Sequence, residues 1–267
     1  MCGLIGFAGH VREGQWRQTH AILSRLFEVS EKRGRDATGF AALTSPEDHP
    51  LRRRVFTEKQ ATPASEFIQS SPTWERLRHF RCAAVIGHVR WATHGSPKDP
   101  RNNHPHIGGS GLFVCHNGVI HNHREIAHKY GLEIKSECDS EILLRLAEFA
   151  SPLQGLTMAL RECVGSVAAS VLDTRLGVVW LAHNGGRSLW TCRLRNDRRV
   201  FFASTEELIV TTLRSVLGKG ADEQIEQLVP VAAGYVHLLR PDGSFRSVAV
   251  AASSGDFVTA NRPDNAI

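Results

Sequence analysis

Met1-Cys2-Gly3-Leu4-Ile5-Gly6-Phe7-Ala8-Gly9 opens the chain. Residues 3–9 are a short apolar run with glycines at both ends, which reads as a buried strand. A cysteine stands at the head of that strand, directly after the initiator methionine. Removal of Met1 leaves Cys2 with a thiol nucleophile and an α-amine on the same carbon. An α-amino group titrates near ~7.7–8.0, against ~10.4 for lysine. It is therefore partly neutral under physiological conditions and can take the thiol proton, directly or through a water. A nucleophile with its own adjacent base suits attack on a carbonyl carbon. Taken alone, Cys2 is also simply a second residue, so the rest of the chain decides between the two readings.

The sequence has 267 residues, 42% hydrophobic and 22% charged, which suits a globular chain with a sizeable core. No stretch approaches ~18 consecutive apolar residues, so no membrane span is expected. The start lacks the basic and apolar regions of a secretory signal, and a cytoplasmic location is the expectation. The six cysteines are scattered without a C-x-x-C pair, and most read as small buried apolar residues. The net charge of +5 comes with only short basic runs, Arg52-Arg53-Arg54 and Arg198-Arg199. A solvated basic surface is the better reading, and a nucleic-acid site is not expected.

Working outward from the first strand, residues 15–31 read as a helix with Ile22, Leu23, Leu26 and Phe27 on one face. Strands are expected at 38–44, 83–89 and 112–116, and surface turns with a short helix over 45–75. A turn-rich segment from Thr93 to Gly111 has the composition of a functional loop. Helices are expected at 122–130, 139–150 and 152–163, then strands at 166–173, 177–183, 188–193 and 199–203. Ser204-x-x-Glu207 reads as a capping box opening a helix to about 217. The last strands fall at 233–240 and 245–251, and 252–267 reads as a polar tail. Hairpin-like runs of strands, without strict strand–helix alternation, favour mostly antiparallel sheet with helices on the outer faces, an α+β fold in one domain over 1–251.

Four further segments carry chemistry: Arg33-Gly34-Arg35-Asp36-Ala37-Thr38-Gly39; Gly87-His88-Val89-Arg90-Trp91-Ala92-Thr93-His94-Gly95, running on to Asn103-His104-Pro105-His106; His116-Asn117-Gly118-Val119-Ile120; and Glu137-Cys138-Asp139-Ser140-Glu141. By itself Asn117-Gly118 is a type I′ turn signal, and Asp139 a helix N-cap ahead of Ile142, Leu143, Leu144 and Leu146. Together with Cys2, and in this order, the segments resemble the glutaminase domain of class II glutamine amidotransferases, which are N-terminal-nucleophile hydrolases. The similarity is greatest to the glutaminase half of glucosamine-6-phosphate synthase and extends to about residue 240.

The resemblance implies a four-layer αββα sandwich of two antiparallel sheets and hydrolysis of L-glutamine to glutamate and ammonia. It casts Cys2 as nucleophile and Asn117 and Gly118 as the oxyanion hole. Arg90 becomes the grip on the substrate α-carboxylate, and Asp139 the partner of its α-amino group. Trp91 to Gly95 match a loop that closes over glutamine, with Thr93 and His94 lining it and His104 near the site. Arg33, Asp36 and His116 are expected to hold these groups from behind. Although His104, His106, His116, His121 and His123 lie close in sequence, none of their spacings is H-E-x-x-H or a zinc-finger pattern. Neither a metal nor a cofactor is expected.

Two departures bear on the partner. The family's tyrosine after Arg-Gly is Arg35, and its Ala-Arg-x-Gly-Ser-Pro-Leu stretch reads Ala182-His183-Asn184-Gly185-Gly186-Arg187-Ser188-Leu189. The sequence ends shortly after the glutaminase portion, with no P-loop or dinucleotide fingerprint. A stand-alone glutaminase subunit that passes ammonia to a synthase in trans is the leading expectation, with its oligomeric state open. The alternatives are an N-terminal-cysteine hydrolase of another γ-glutamyl or amide substrate, and a catalytically silent glutamine-binding regulatory subunit.

Overall fold

In chain order the strands are β1 (Gly3–Gly9), β2 (Ala37–Thr44), β3 (Val55–Gln60), β4 (Cys82–Arg90), β5 (His106–Ile107), β6 (Leu112–Ile120), β7 (Gly165–Asp173), β8 (Val178–His183), β9 (Trp190–Leu194), β10 (Arg199–Ala203), β11 (Ile225–Pro230), β12 (Tyr235–Leu239), β13 (Phe245–Ala249) and β14 (Val258–Ala260). The helices are α1 (Gln15–Ser30), α2 (Ala64–Ser70), α3 (Pro72–Leu77), α4 (His123–Tyr130), α5 (Glu141–Phe149), α6 (Pro152–Glu162) and α7 (Glu206–Leu217). This computed structural model describes residues 1–46, 54–250 and 258–260. Arg52, Arg53 and the tail either side of β14 lie outside the described residues, as does the expected domain boundary at 251.

Among the described residues the strands form two seven-stranded sheets, ordered β11-β9-β10-β1-β4-β2-β3 and β14-β13-β12-β8-β7-β6-β5. The pairs around the site are all antiparallel. β1 is central and buried on both faces, which is why its sequence is a continuous apolar run without alternation. Its side chains still divide with period two. Ile5 and Phe7 pack with Ile22, Leu26 and Phe27 of α1 and with Leu208 and Leu213 of α7. Leu4 and Ala8 face the other way and meet Ala168, Leu172 and Leu181 of the second sheet. A third cluster joins the far face of that sheet, through Val114, Val167 and Val171, to Ile142, Leu146 and Leu156 of α5 and α6. Three apolar clusters between four layers give the αββα order, each fully buried Leu, Ile or Phe contributing about 1.5–3 kcal/mol.

Local expectations are corrected in several places, among them 258–260, a strand within the stretch expected to be a polar tail. Residues 55–60 are a strand and 225–230 another, both outside the expected set. Each is an edge strand with few buried residues, so neither carries an apolar run. The cap of α7 is Thr205, whose side chain accepts from the Leu208 N–H, while Ser204 is fully buried and bonded elsewhere.

Candidate active site

Cys2 precedes β1, and β1 lies beside β4 with Gly3 opposite Val89. That register brings Cys2 against the end of β4. Its sulfur accepts from the Trp91 backbone N–H at 3.3 Å and faces the Trp91 carbonyl at 3.4 Å. Arg33 donates through Nε to the Cys2 carbonyl at 2.8 Å. Burial pushes the Cys2 thiol above its usual range, offset in part by the backbone of Trp91 and by nearby positive charge, Arg90 included. Gly34 runs so close to β4 that a Cβ would stand 2.4 Å from the Arg90 carbonyl carbon, so this approach requires glycine. Asp36 donates its N–H to the Arg90 carbonyl at 3.0 Å and accepts from the Ala92 N–H at 2.7 Å. Arg33 thus fixes the backbone at Cys2, and Asp36 the backbone on either side of Trp91.

Arg90 is buried, with its guanidinium turned into the loop that leaves β4. It donates to Asn103 Oδ1 at 2.9 Å, to the Gly95 carbonyl at 3.0 Å and to the His94 carbonyl. A guanidinium carries more N–H donors than these contacts use. Trp91, Thr93 and His94 stand on the exposed side of this loop, with Trp91 56% exposed. His94 Nδ1 lies 3.8 Å from Asp139 Oδ1.

Asn117 and Gly118 are not a turn. They lie within β6, opposite Ala168 and Val167 of β7. Gly118 has φ +155°, and a Cβ there would fall 1.8 Å from the Ser166 carbonyl and 2.6 Å from His116 Nε2. The Asn117 amide donates to Ser204 Oγ at 3.4 Å, and the same oxygen accepts the Leu4 N–H at 2.8 Å. Ser204 therefore ties the Asn117 side chain to the strand that carries Cys2. Asp139 is not the cap of α5 either. That position is Ser140, and the buried Asp139 carboxylate accepts from the Ile120 N–H at 2.6 Å. His116 is held by Ser140 Oγ at 2.7 Å and the Ser166 carbonyl at 3.2 Å, and burial lowers its pKa despite the neighbouring Asp139.

His104 does not face the loop. It lies buried between His88 and His106, with ring centroids 4.0 and 4.7 Å away. Sequence reasoning missed Ser204, Asn103 and Ser166, which hold site residues from positions 13 to 87 residues away in the chain. Of the departures, Arg35 pairs with Glu31 on the surface. Asn184 bonds the Val167 N–H and the Gly165 carbonyl, at the end of the strand facing Gly118.

A cysteine at the head of the central strand of an αββα sandwich is the arrangement of the N-terminal-nucleophile class of hydrolase fold. Two solved structures share that fold over 94% of this chain and 49% of theirs. They are the glutamine phosphoribosylpyrophosphate amidotransferase of B. subtilis, with TM-score 0.69 and 19% identity, and a structure described as the allosteric regulatory enzyme of purine biosynthesis, with TM-score 0.68 and 21% identity.

Residues 89–211 match the profile of the glutamine amidotransferase domain. Glutamine–fructose-6-phosphate aminotransferase of Staphylococcus aureus is 33% identical over 182 residues, 65% of this chain and 27% of that protein. The Clostridium perfringens enzyme of the same name is 31% identical over 179 residues, 64% of this chain and 26% of that protein. The match is to a glutamine amidotransferase domain over less than half of the chain, and the chain spans about a quarter of the length of these relatives.

Proposed function

We propose that the protein hydrolyses the side-chain amide of L-glutamine and delivers the ammonia to an acceptor site on a partner protein. The observation that carries the reading is the convergence on Cys2. Its thiol is bonded to the backbone of Trp91, next to Arg90, while Ser204 links the strand of Cys2 to Asn117.

With Met1 removed, the thiol adds to the side-chain carbonyl carbon and its proton passes to the freed α-amine. The oxyanion accepts from the Asn117 amide and the Gly118 N–H. Such donors act most strongly where water is excluded, and losing one costs about 2.7–4 kcal/mol of barrier. Collapse expels ammonia with the proton carried by the amine and leaves a thioester. Water then attacks the thioester, giving glutamate and restoring the thiol. Arg90 and Asp139 take the α-carboxylate and α-amino groups, which selects a free amino acid over a peptide-bound glutamine. Thr93 and His94 close over it from the Trp91–Gly95 loop, hinged at Arg90 and Asp36.

The acceptor chemistry is assigned to a partner in trans, and the setting to the cytoplasm. The six cysteines are unpaired thiols, as a reducing compartment keeps them. No helix among the described residues is long and apolar enough to cross a membrane.

The test is glutamate release from glutamine by the purified chain and by Cys2→Ala. Turnover that vanishes in Cys2→Ala, with the circular dichroism spectrum unchanged, is the expected outcome. Turnover that survives the substitution removes Cys2 from the mechanism. A processed wild-type chain with a reactive Cys2 but no turnover would favour the glutamine-binding regulatory reading.

A further inference from the structure

Beside Arg90 the inter-sheet core contains a group of polar rings that the proposed glutamine chemistry does not use. His88, His104 and His106 are all but fully buried, and so is Cys138. His104 Nδ1 and Nε2, His106 Nε2 and His88 Nε2 have no hydrogen-bond partner in the protein. A neutral imidazole carries one donor and one acceptor, so His104 leaves both unpaired. Burying such groups without partners is unfavourable, and the packing concentrates several of them in one place. One ligand atom from each of His104, His106 and Cys138 lies within 4.8 Å of the others.

We propose that His104, His106 and Cys138 ligate a zinc ion that braces the two segments on which they lie. Two imidazoles and a thiolate are a borderline-soft donor set of the kind zinc takes, and the His88 ring lies beside them, tilted 40° to that of His104. Burial keeps the His88 and His104 rings well below the usual imidazole range and brings His106 to about 3, so the lone pairs are free to ligate. Burial and Asp139 push the Cys138 thiol up to about 11, so its proton must leave to solvent as the sulfur–zinc bond forms. Lys59 and Arg90 oppose a cation here, while Glu141, Asp139 and the thiolate charge itself offset them.

The placement gives the ion a role. His104 is the neighbour of Asn103, the partner of Arg90, and Cys138 precedes Asp139. One ion would fix the distance between the two groups assigned to the substrate's ends. Lys59 already holds the Asn103 and Pro105 carbonyls at 2.8 and 3.1 Å, so this loop is pinned from its other side.

No metal is expected from the sequence because the spacings match no zinc motif, and the site instead assembles from segments over thirty residues apart. The competing occupant is ordered water bridging the rings.

The full chain, stripped of metal in urea and refolded with cobalt(II) as the spectroscopic stand-in for zinc, separates the two. One equivalent of cobalt with a sulfur-to-cobalt charge-transfer band, displaced by one equivalent of zinc, is expected. Cys138→Ala should lose the band, and His106→Gln should weaken zinc binding at least about tenfold. Absence of stoichiometric cobalt in the wild-type chain, cobalt bound without the band, or a band that survives Cys138→Ala would each overturn the proposal. The wild-type measurement decides the matter even if a variant fails to fold.

Discussion

Replacing Ser204 by alanine should separate stability from catalysis in a way the site geometry dictates. Ser204 Oγ is fully buried and accepts the Leu4 N–H at 2.8 Å and the Asn117 amide at 3.4 Å. Its removal strands the Leu4 N–H inside the central strand, which costs about 1–3 kcal/mol. With a urea m-value of about 3 kcal/mol/M for a chain this size, the midpoint should fall by roughly 0.3–1 M with the slope unchanged.

The catalytic effect runs through a different bond, the tether on Asn117. Ser204→Ala should lower kcat by less than Asn117→Ala, for which a loss of about 10²–10³ is expected. In an Asn117→Ala background Ser204→Ala should lower kcat no further, yet still lower the urea midpoint by the same amount, since Leu4 is untouched by the first change. Urea denaturation monitored by circular dichroism and a coupled glutamate assay on the four proteins give the cycle. An unmoved midpoint would show that Leu4 does not depend on Ser204. An equal fall in kcat with and without Asn117 would show that Ser204 acts on turnover by some other route.

The same geometry dictates three other outcomes. Gly118→Ala places a Cβ against the Ser166 carbonyl, so the backbone of β6 must shift; a loss of about 1–3 kcal/mol in urea denaturation is expected, with turnover falling as the N–H moves. Asp139→Asn keeps an acceptor for the Ile120 N–H but removes the charge; KM for glutamine should rise about 10- to 100-fold, the worth of a charge-assisted bond of about 1.5–3 kcal/mol, with little change in melting temperature. In chain that retains Met1, the raised Cys2 thiol is protonated at neutral pH; its alkylation rate by iodoacetamide should climb about tenfold per pH unit from 7 to 9 without levelling off, and processed chain should react faster at pH 7.

β1 and β4 are legible in the sequence because strands buried on both faces demand unbroken apolar runs. β3 and β11 are not, since an edge strand buries little and its residues Val55–Gln60 and Ile225–Pro230 look like polar connectors. Ser204 reads as a cap because Thr205 beside it has the same chemistry, and only the fold shows that Ser204 is drawn to Leu4 and Asn117.

Among the candidate site residues, Cys2, Arg90, Asn117, Gly118 and Asp139 stand out by type and order. The local alternatives for Asn117-Gly118 and Asp139, a turn and a cap, fail because β6 continues through the first and the second turns its carboxylate to Ile120. His104, expected near the site, stands in the core against His88, next to the Asn103 that bonds Arg90, a position set by packing between two sheets, to which local sequence gives no clue.

Everything proposed for the site rests on Cys2, freed from Met1, being a nucleophile aimed at glutamine. Intact mass of the purified protein before and after treatment with 6-diazo-5-oxo-L-norleucine measures this at the residue itself. The expected product is a chain lacking Met1 that gains a single adduct, located on Cys2 and blocked by excess glutamine. A processed chain that gains no adduct, or one whose adduct falls on another cysteine, would show that Cys2 is not that nucleophile.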